Sequence, residues 1–429
     1  MVLSLKKSLE LKEKAIGLIP ALTQTFSKGP LYFVQGASPI YISRGDGCYL
    51  WDVDNNKYID YTGALGVIIL GYNNAEVTRA ITEQLKSGII FTLSHPLELS
   101  LSEELVAIIP CAEMVRFGKN GSDATSGAVR LARAYTKREK IACCGYHGWQ
   151  DWYICTTTRR MGVPKSVQEL TLSFQYNSIE SLEAIFAQNT GEIAAVIMEP
   201  VGIVEPKDNF LEKVRDLAHR NGALLIFDEI VTGFRVSLGG AQEYYGVIPD
   251  IACFGKAMGN GMPISAIVGR KEIMELLNDV FFSFTFGGET LSLAASIATI
   301  QFIKRNNVIP ALWERGRQLK GDIINLTKEL GFDKYCECVG LPPRTVMNFH
   351  SSGSVDGLVI KSYFQQECIK RGILFTGTHN ISYAHKESDI KQTLYVYKEV
   401  MISTIEVLKK GDIAKRLVGP PLQPVFRKP

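Results

Sequence analysis

No stretch of this 429-residue chain approaches the roughly 20 consecutive apolar residues needed to cross a bilayer as a helix, so no membrane span is expected. The N-terminus lacks the apolar core of a signal peptide, since Ser4 to Glu13 is charged and helical in pattern. The net charge of +3 is too small to indicate nucleic acid or a membrane surface as a partner. A disulfide framework is also missing, because the nine cysteines are odd in number and scattered through a long chain. Cys336 and Cys338 form a lone Cys-x-Cys and Cys143 adjoins Cys144, too few ligands for zinc, so no metal is expected. A reduced, cytoplasmic protein is the expectation. Two nucleotide signatures are absent as well. Lys256 is followed by Ala257 and lacks the spacing of a P-loop, and Gly259-Asn260-Gly261 lacks the third glycine of a dinucleotide fingerprint. The latter excludes a nicotinamide-dependent dehydrogenase.

What is present is ordinary globular material, 46% apolar and 21% charged, with no internal repeat or low-complexity linker. Residues 1–61 read as a helix followed by a small antiparallel sheet, with strands at Ile40–Ile42, Gly47–Asp52 and Tyr58–Asp60 and turns at Arg44–Gly47 and Asp54–Asn56. From 62 to 310 short apolar runs (Ala194–Met198, Ala223–Phe227, Ser265–Val268) alternate with amphipathic helices such as Phe210–Asn221. That alternation predicts an α/β domain, a largely parallel sheet covered on both faces. Residues 311–429 return to helix and strand, with Lys-rich helices near Trp313–Leu330 and Ser388–Lys410 and a loosely ordered tail from Gly419 to Pro424.

Five places in the 62–310 segment could carry chemistry. Asp228 follows five apolar residues at the carboxyl end of a probable central strand, where α/β sheets bind ligands. It could hold a protonated ring nitrogen, or pair with Arg235 or cap a turn. Lys256 follows a strand-like run and is flanked by Gly255, Gly259 and Gly261; it could form a Schiff base, or be a surface lysine in a glycine-rich turn. Asn120-Gly121-Ser122-Asp123-Ala124 opens a helix with Ala128, Leu131, Ala132 and Tyr135 on one face and Ser122 as a natural N-cap. Such a start caps a helix and can also bind phosphate. Gly145-Tyr146-His147-Gly148 offers a ring that could stack on a planar cofactor, or an ordinary turn. Glu199 ends the Ala194–Met198 strand on the ligand side. Together these supply a phosphate cradle, a stacking ring, a pyridinium partner and a Schiff-base amine, which is the set pyridoxal 5'-phosphate (PLP) chemistry needs.

On these motifs, with Leu50-Trp-Asp-Val-Asp54, Tyr58–Tyr61 and Phe227–Arg235, the chain resembles class III, fold type I PLP aminotransferases of the glutamate-1-semialdehyde aminomutase branch, along nearly its whole length. The resemblance implies a large, mostly parallel, seven-stranded-type sheet domain and a smaller α+β domain built from both chain ends. It implies Lys256 as the Schiff-base and proton-shuttling amine and Asp228 as the partner of the pyridine nitrogen. Tyr146 and Ile230 would cover the two ring faces, Gly121 and Ser122 would hold the phosphate, and Glu199 would lie near the phenolic edge or the substrate. Thr285 matches a threonine that reaches the phosphate of the neighbouring subunit, which implies a homodimer with shared sites. Lys28 and His147 are expected near substrate. The branch's Asn-Ser-Pro-Val-Arg stretch reads Thr23-Gln-Thr-Phe-Ser-Lys28 here, so the arginine that clamps a carboxylate is replaced. The expected activity is amino-group transfer from an amino-acid donor to an aldehyde or ketone, including sugar-like carbonyl compounds. An intramolecular aminomutase or a racemase/epimerase would use the same Lys256 and Asp228.

Overall fold

A computed structural model describes residues 3–423. The chain forms two compact units, one gathering both chain ends (up to Asn74 and from Pro310) and the other comprising Ala75–Ile309.

The Ala75–Ile309 unit is built on one sheet of seven strands. In chain order these are β1 (Met114–Gly118), β2 (Lys140–Cys144), β3 (Thr171–Ser173), β4 (Ile193–Met198), β5 (Leu224–Asp228), β6 (Ile251–Phe254) and β7 (Ser265–Gly269). Their order across the sheet is β1-β7-β6-β5-β4-β2-β3. β2 to β6 run parallel, whereas β7 is antiparallel to both β1 and β6. Every residue of β4 and β5 is buried, as a strand covered on both faces requires, which is why these segments read as unbroken apolar runs.

Two helices fix the geometry near the site. Helix α1 (Gly121–Thr136) buries Ala128, Leu131 and Ala132, while Tyr135 is left exposed. Its N-cap is Asn120 rather than Ser122. The Asn120 side chain accepts from the Asp123 N–H and the Asp123 side chain accepts from the Asn120 N–H, a reciprocal box that leaves Ser122 inside the first turn. Helix α2 (Phe210–Arg220) buries Phe210, Val214 and Leu217 and ends at Asn221-Gly222, with Gly222 at φ +69°.

In the other unit, antiparallel strands Ile42–Asp46, Tyr49–Asp52 and Lys57–Asp60 are joined by Ile373–Leu374, which pairs parallel to the third. The first strand lies later than the sequence suggests. Arg44, Gly45 and Asp46, read as a turn, pair with Trp51, Leu50 and Tyr49, and a Cβ at Gly45 would meet the Tyr72 ring at 2.7 Å. A second sheet holds Cys336–Leu341, Arg344–Phe349 and Thr378–Asn380. Residues 62–74 belong with this unit because they hydrogen-bond to its C-terminal half. Asn380 Nδ2 donates to the Thr62 carbonyl at 2.9 Å and the Tyr383 N–H to Ile69 at 2.7 Å. The tail is not loose as far as it is described. The Leu422 N–H donates to Ser362 Oγ at 2.9 Å, and the Leu422 side chain is buried with Val34 and Ala37. Pro424 lies outside the described residues.

Candidate active site

The parallel strands deliver the chemistry at their carboxyl ends. Gly145-Tyr146-His147 follows β2, Glu199 follows β4, Asp228 closes β5, and Gly255-Lys256 follows β6. Asp228 is 3% exposed. Its Oδ2 lies 2.8 Å from His147 Nδ1, and its Oδ1 accepts from the Ile230 N–H at 3.1 Å. His147 Nε2 is 3.1 Å from the Cys144 carbonyl. A carbonyl only accepts, so Nε2 carries a proton, and a further proton joins Nδ1 to the carboxylate. Lone pairs remain on both Asp228 oxygens for one more donor. His147, expected near substrate, is instead buried behind Asp228 with both ring nitrogens engaged and its ring against Trp152 and Tyr153.

Lys256 starts a short 3-10 turn (Lys256–Gly259) with φ +43°, a left-handed backbone that costs a non-glycine residue on the order of 1–3 kcal/mol and persists where surroundings impose it. Ile230, 8% exposed, packs closely enough that a Cβ at Gly255 or Gly121 would lie 3.1 or 3.2 Å from its side chain.

The first turn of α1 is stitched to the β2 loop. The Trp149 N–H donates to Ser122 Oγ at 3.2 Å, and Thr125 Oγ1 donates to the His147 carbonyl at 2.8 Å. Gly148, at φ +108°, cannot carry a side chain there, because a Cβ would lie 2.2 Å from Ser122 Oγ. Glu199 Oε2 accepts from the Tyr146 N–H at 3.1 Å, and a Cβ at Gly145 would lie 2.7 Å from the same oxygen. Tyr146 keeps an exposed face, and its hydroxyl pKa is raised by burial, then by the charges of Asp228 and Glu199.

Thr285 lies exposed in a turn of the same unit. Its segment is anchored by Arg130 Nη1 on the Phe281 carbonyl at 2.7 Å and Arg116 Nη2 on the Phe282 carbonyl at 3.1 Å. The Lys119–Glu289 ion pair, 3.0 Å long, ties its far end to the residue preceding Asn120. Lys28 is exposed on the 3-10 turn Phe26–Lys28 of the other unit. The sequence reading missed Thr125 and Trp149, and it named Gly148 only as one of the glycines flanking Tyr146 and His147.

These residues fit a phosphorylated pyridine. A 16-residue helix presents its leading N–H groups beside a loop whose Gly148 passes so close that a Cβ there would lie 2.2 Å from Ser122 Oγ, and a buried carboxylate keeps acceptor capacity for a ring N–H. Fold and site together define a PLP-dependent enzyme of fold type I. Residues 32–338 match the family model Aminotransferase class-III, and the chain belongs to that family. It is 36% identical over 416 residues to the 3-aminobutyryl-CoA aminotransferase of Cloacimonas acidaminovorans (strain Evry), covering 95% of this chain and 99% of that protein. It is 35% identical over 430 residues to glutamate-1-semialdehyde 2,1-aminomutase 2 of Lachnoclostridium phytofermentans, covering 92% and 99%. Among solved structures, the PLP internal aldimine form of the FumI protein of Sphingopyxis sp. MTA144 superposes with a TM-score of 0.87 at 27% identity, over 97% of this chain and 98% of that one.

Proposed function

We propose that this class III aminotransferase is a two-substrate enzyme, moving an amino group from an amino-acid donor to an aldehyde or ketone, with Lys256 and Asp228 as its catalytic residues. The observation that carries the proposal is the buried Asp228 carboxylate, held by His147 and the Ile230 N–H at the end of β5, with Lys256 on the loop of the neighbouring strand β6. When bound, PLP supplies an aldehyde carbon for amines and a ring that accepts electrons. Asp228 holds the proton at the ring nitrogen, and His147 fixes the carboxylate that does so. Lys256 Nζ would be the base that takes up and returns the substrate's Cα proton. Gly121 and Ser122 bind the phosphate, Tyr146 and Ile230 cover the ring, and Glu199 holds the Tyr146 backbone in place. Replacement of the carboxylate-clamping arginine stretch by Thr23–Lys28 favours transfer between two substrates over intramolecular migration.

The enzyme acts as a homodimer in the cytoplasm, with Thr285 reaching the partner's phosphate. Support comes from exposed Ile89, Ile90, Phe91 and Leu93 and exposed Phe281, Phe284 and Phe286, two stretches joined by the Thr290 N–H on the Ile89 carbonyl. The nine cysteines are all free, as a reducing compartment requires.

The test is the absorbance spectrum of the purified holoprotein, recorded while amino donors are added one at a time. Loss of the bound-cofactor band with release of a keto acid is the expected result. A band that no donor bleaches, with product formed from a single amino aldehyde, would establish the aminomutase instead.

A further inference from the structure

The ring of Tyr146 is held by a side chain that the proposed chemistry does not use. Tyr146 lies between Gly145 at φ +110° and Gly148 at φ +108°, residues with wide backbone latitude, so contacts rather than the local chain must set its ring plane. The bond from its N–H to Glu199 fixes the backbone and not the ring. That ring meets Tyr153 edge-on, with centroids 5.6 Å apart and planes at 88°. The Tyr153 hydroxyl donates to the carbonyl of Gly145, the residue just before Tyr146, at 2.8 Å. The Tyr153 ring also stands edge-on to His147, 5.2 Å away at 73°. One buried side chain thus touches three successive residues of the loop.

The bracket that carries Tyr153 is anchored outside that loop. Tyr153 sits on the one-turn helix Asp151–Ile154. Its neighbour Trp152 donates from Nε1 to Ser126 Oγ of α1 at 3.0 Å, and the Trp152 carbonyl accepts from Thr171 Oγ1 of β3 at 2.5 Å. Trp152 and Tyr153 both lie in the buried core that includes Ala128, Ile141 and Ile197. The short helix is therefore placed by α1 and the sheet, and Tyr153 passes that placement on to the loop. A buried tyrosine needs a partner for its hydroxyl, and here the partner is the Gly145 carbonyl. An edge-to-face pair of rings adds an orientation that burial alone does not give.

We propose that Tyr153 is a positioning residue for the amino-transfer chemistry. Through the Gly145 carbonyl and the edge of the Tyr146 ring it sets the plane in which Tyr146 covers the cofactor. Its contact with His147 ties that plane to the imidazole that braces Asp228, so the covering ring and the carboxylate keep a fixed relation. The inference rests on the reading of Tyr146 as a covering ring and adds the residue that orients it.

The test compares wild type, Tyr153→Phe and Tyr153→Leu. Phenylalanine keeps the ring and loses only the hydrogen bond to Gly145, whereas leucine loses both contacts. In the apoproteins, amide hydrogen exchange read by mass spectrometry follows the peptide containing Gly145–Trp149, and the melting temperature controls for the fold. In the PLP-saturated proteins, visible circular dichroism per bound cofactor reports the asymmetry of its surroundings, and titration with PLP gives the affinity. One hydrogen bond and one edge-to-face pair are each worth roughly 2- to 13-fold. Loop exchange should quicken by up to that factor in Tyr153→Phe and again in Tyr153→Leu, with dichroism and PLP affinity falling in the same order. In a Tyr146→Ala background, Tyr153→Phe should leave the dichroism unchanged, because the ring it orients is gone. Wild-type loop exchange in a folded Tyr153→Phe protein overturns the bracket, and wild-type dichroism in the folded variants overturns the positioning role. An undiminished change in the Tyr146→Ala background also overturns it, since the effect then bypasses Tyr146. A wild-type protein that binds no PLP refutes the cofactor reading instead, and the exchange rates, measured without PLP, keep the two failures apart.

Discussion

Gly148 and Gly145 occupy the same loop with nearly the same backbone, φ +108° and +110°, yet a methyl group at each would meet different atoms. At Gly148 the new Cβ would lie 2.2 Å from Ser122 Oγ, 2.8 Å from its Cβ and 3.1 Å from its Cα, so the first turn of α1 has to move. At Gly145 it would lie 2.7 Å from Glu199 Oε2, the far end of a side chain that can rotate away. The backbone strain of alanine at such a φ, on the order of 1–3 kcal/mol, is common to both and cancels in the comparison. What remains at Gly148→Ala is displacement of the cradle. Losing one hydrogen bond to a charged phosphate costs about 1.5–3 kcal/mol, which corresponds to roughly 10- to 150-fold in PLP affinity. Titration of each apoprotein with PLP, followed by absorbance, should show that loss for Gly148→Ala and a change of less than about threefold for Gly145→Ala. Equal affinities for the two variants would refute the assignment of Gly121 and Ser122 as the phosphate site.

Other predictions follow from the same geometry. His147→Phe leaves Asp228 Oδ2 and the Cys144 carbonyl without their donor, so the bound-cofactor band should titrate at a shifted pH, with His147→Gln restoring part of the native profile. Glu289→Gln removes the charge pairing Lys119 and should loosen the Thr285 segment, so that turnover falls further than PLP binding. Acid should unfold the chain through two buried histidines, His379 and His385, which burial lowers to about 3 and about 4. Both folded values lie below the unfolded value near 6.5, so the unfolded state binds the extra protons and stability is lost as pH falls from about 6.5 toward 4. At pH 5 each contributes about 2 kcal/mol of destabilisation, and a His379→Gln protein should show a correspondingly shallower dependence of its urea midpoint between about pH 7 and 5.

The strands that carry the site were legible because they are buried on both faces and write unbroken apolar runs, so a carboxylate directly after Leu224–Phe227 stands out. Lys256 was legible from its glycines, and α2 from its single apolar face and its Asn-Gly stop. The cap of α1 was misread because Asn120 and Ser122 are both good N-caps, and only the reciprocal bond from Asp123 decides between them. The limit of residues 62–74 and the seating of the tail depend on contacts with segments more than 300 residues away for Thr62 and 60 for Leu422, which no local pattern encodes.

The same distinction separates the residues proposed to touch the cofactor from those that hold them. Each of the former lies at or within two residues of a strand's carboxyl end or begins a helix, so its local context announces it. The holders act across the sequence: His147 reaches Asp228 over 81 residues, Glu199 reaches Tyr146 over 53, and Trp149 reaches Ser122 over 27. A histidine between glycines looks the same from the sequence whether it faces substrate or braces a carboxylate. Hydrogen-bond satisfaction tells them apart, since a ring with an acceptor at each nitrogen and no exposed surface has nothing left to offer a ligand.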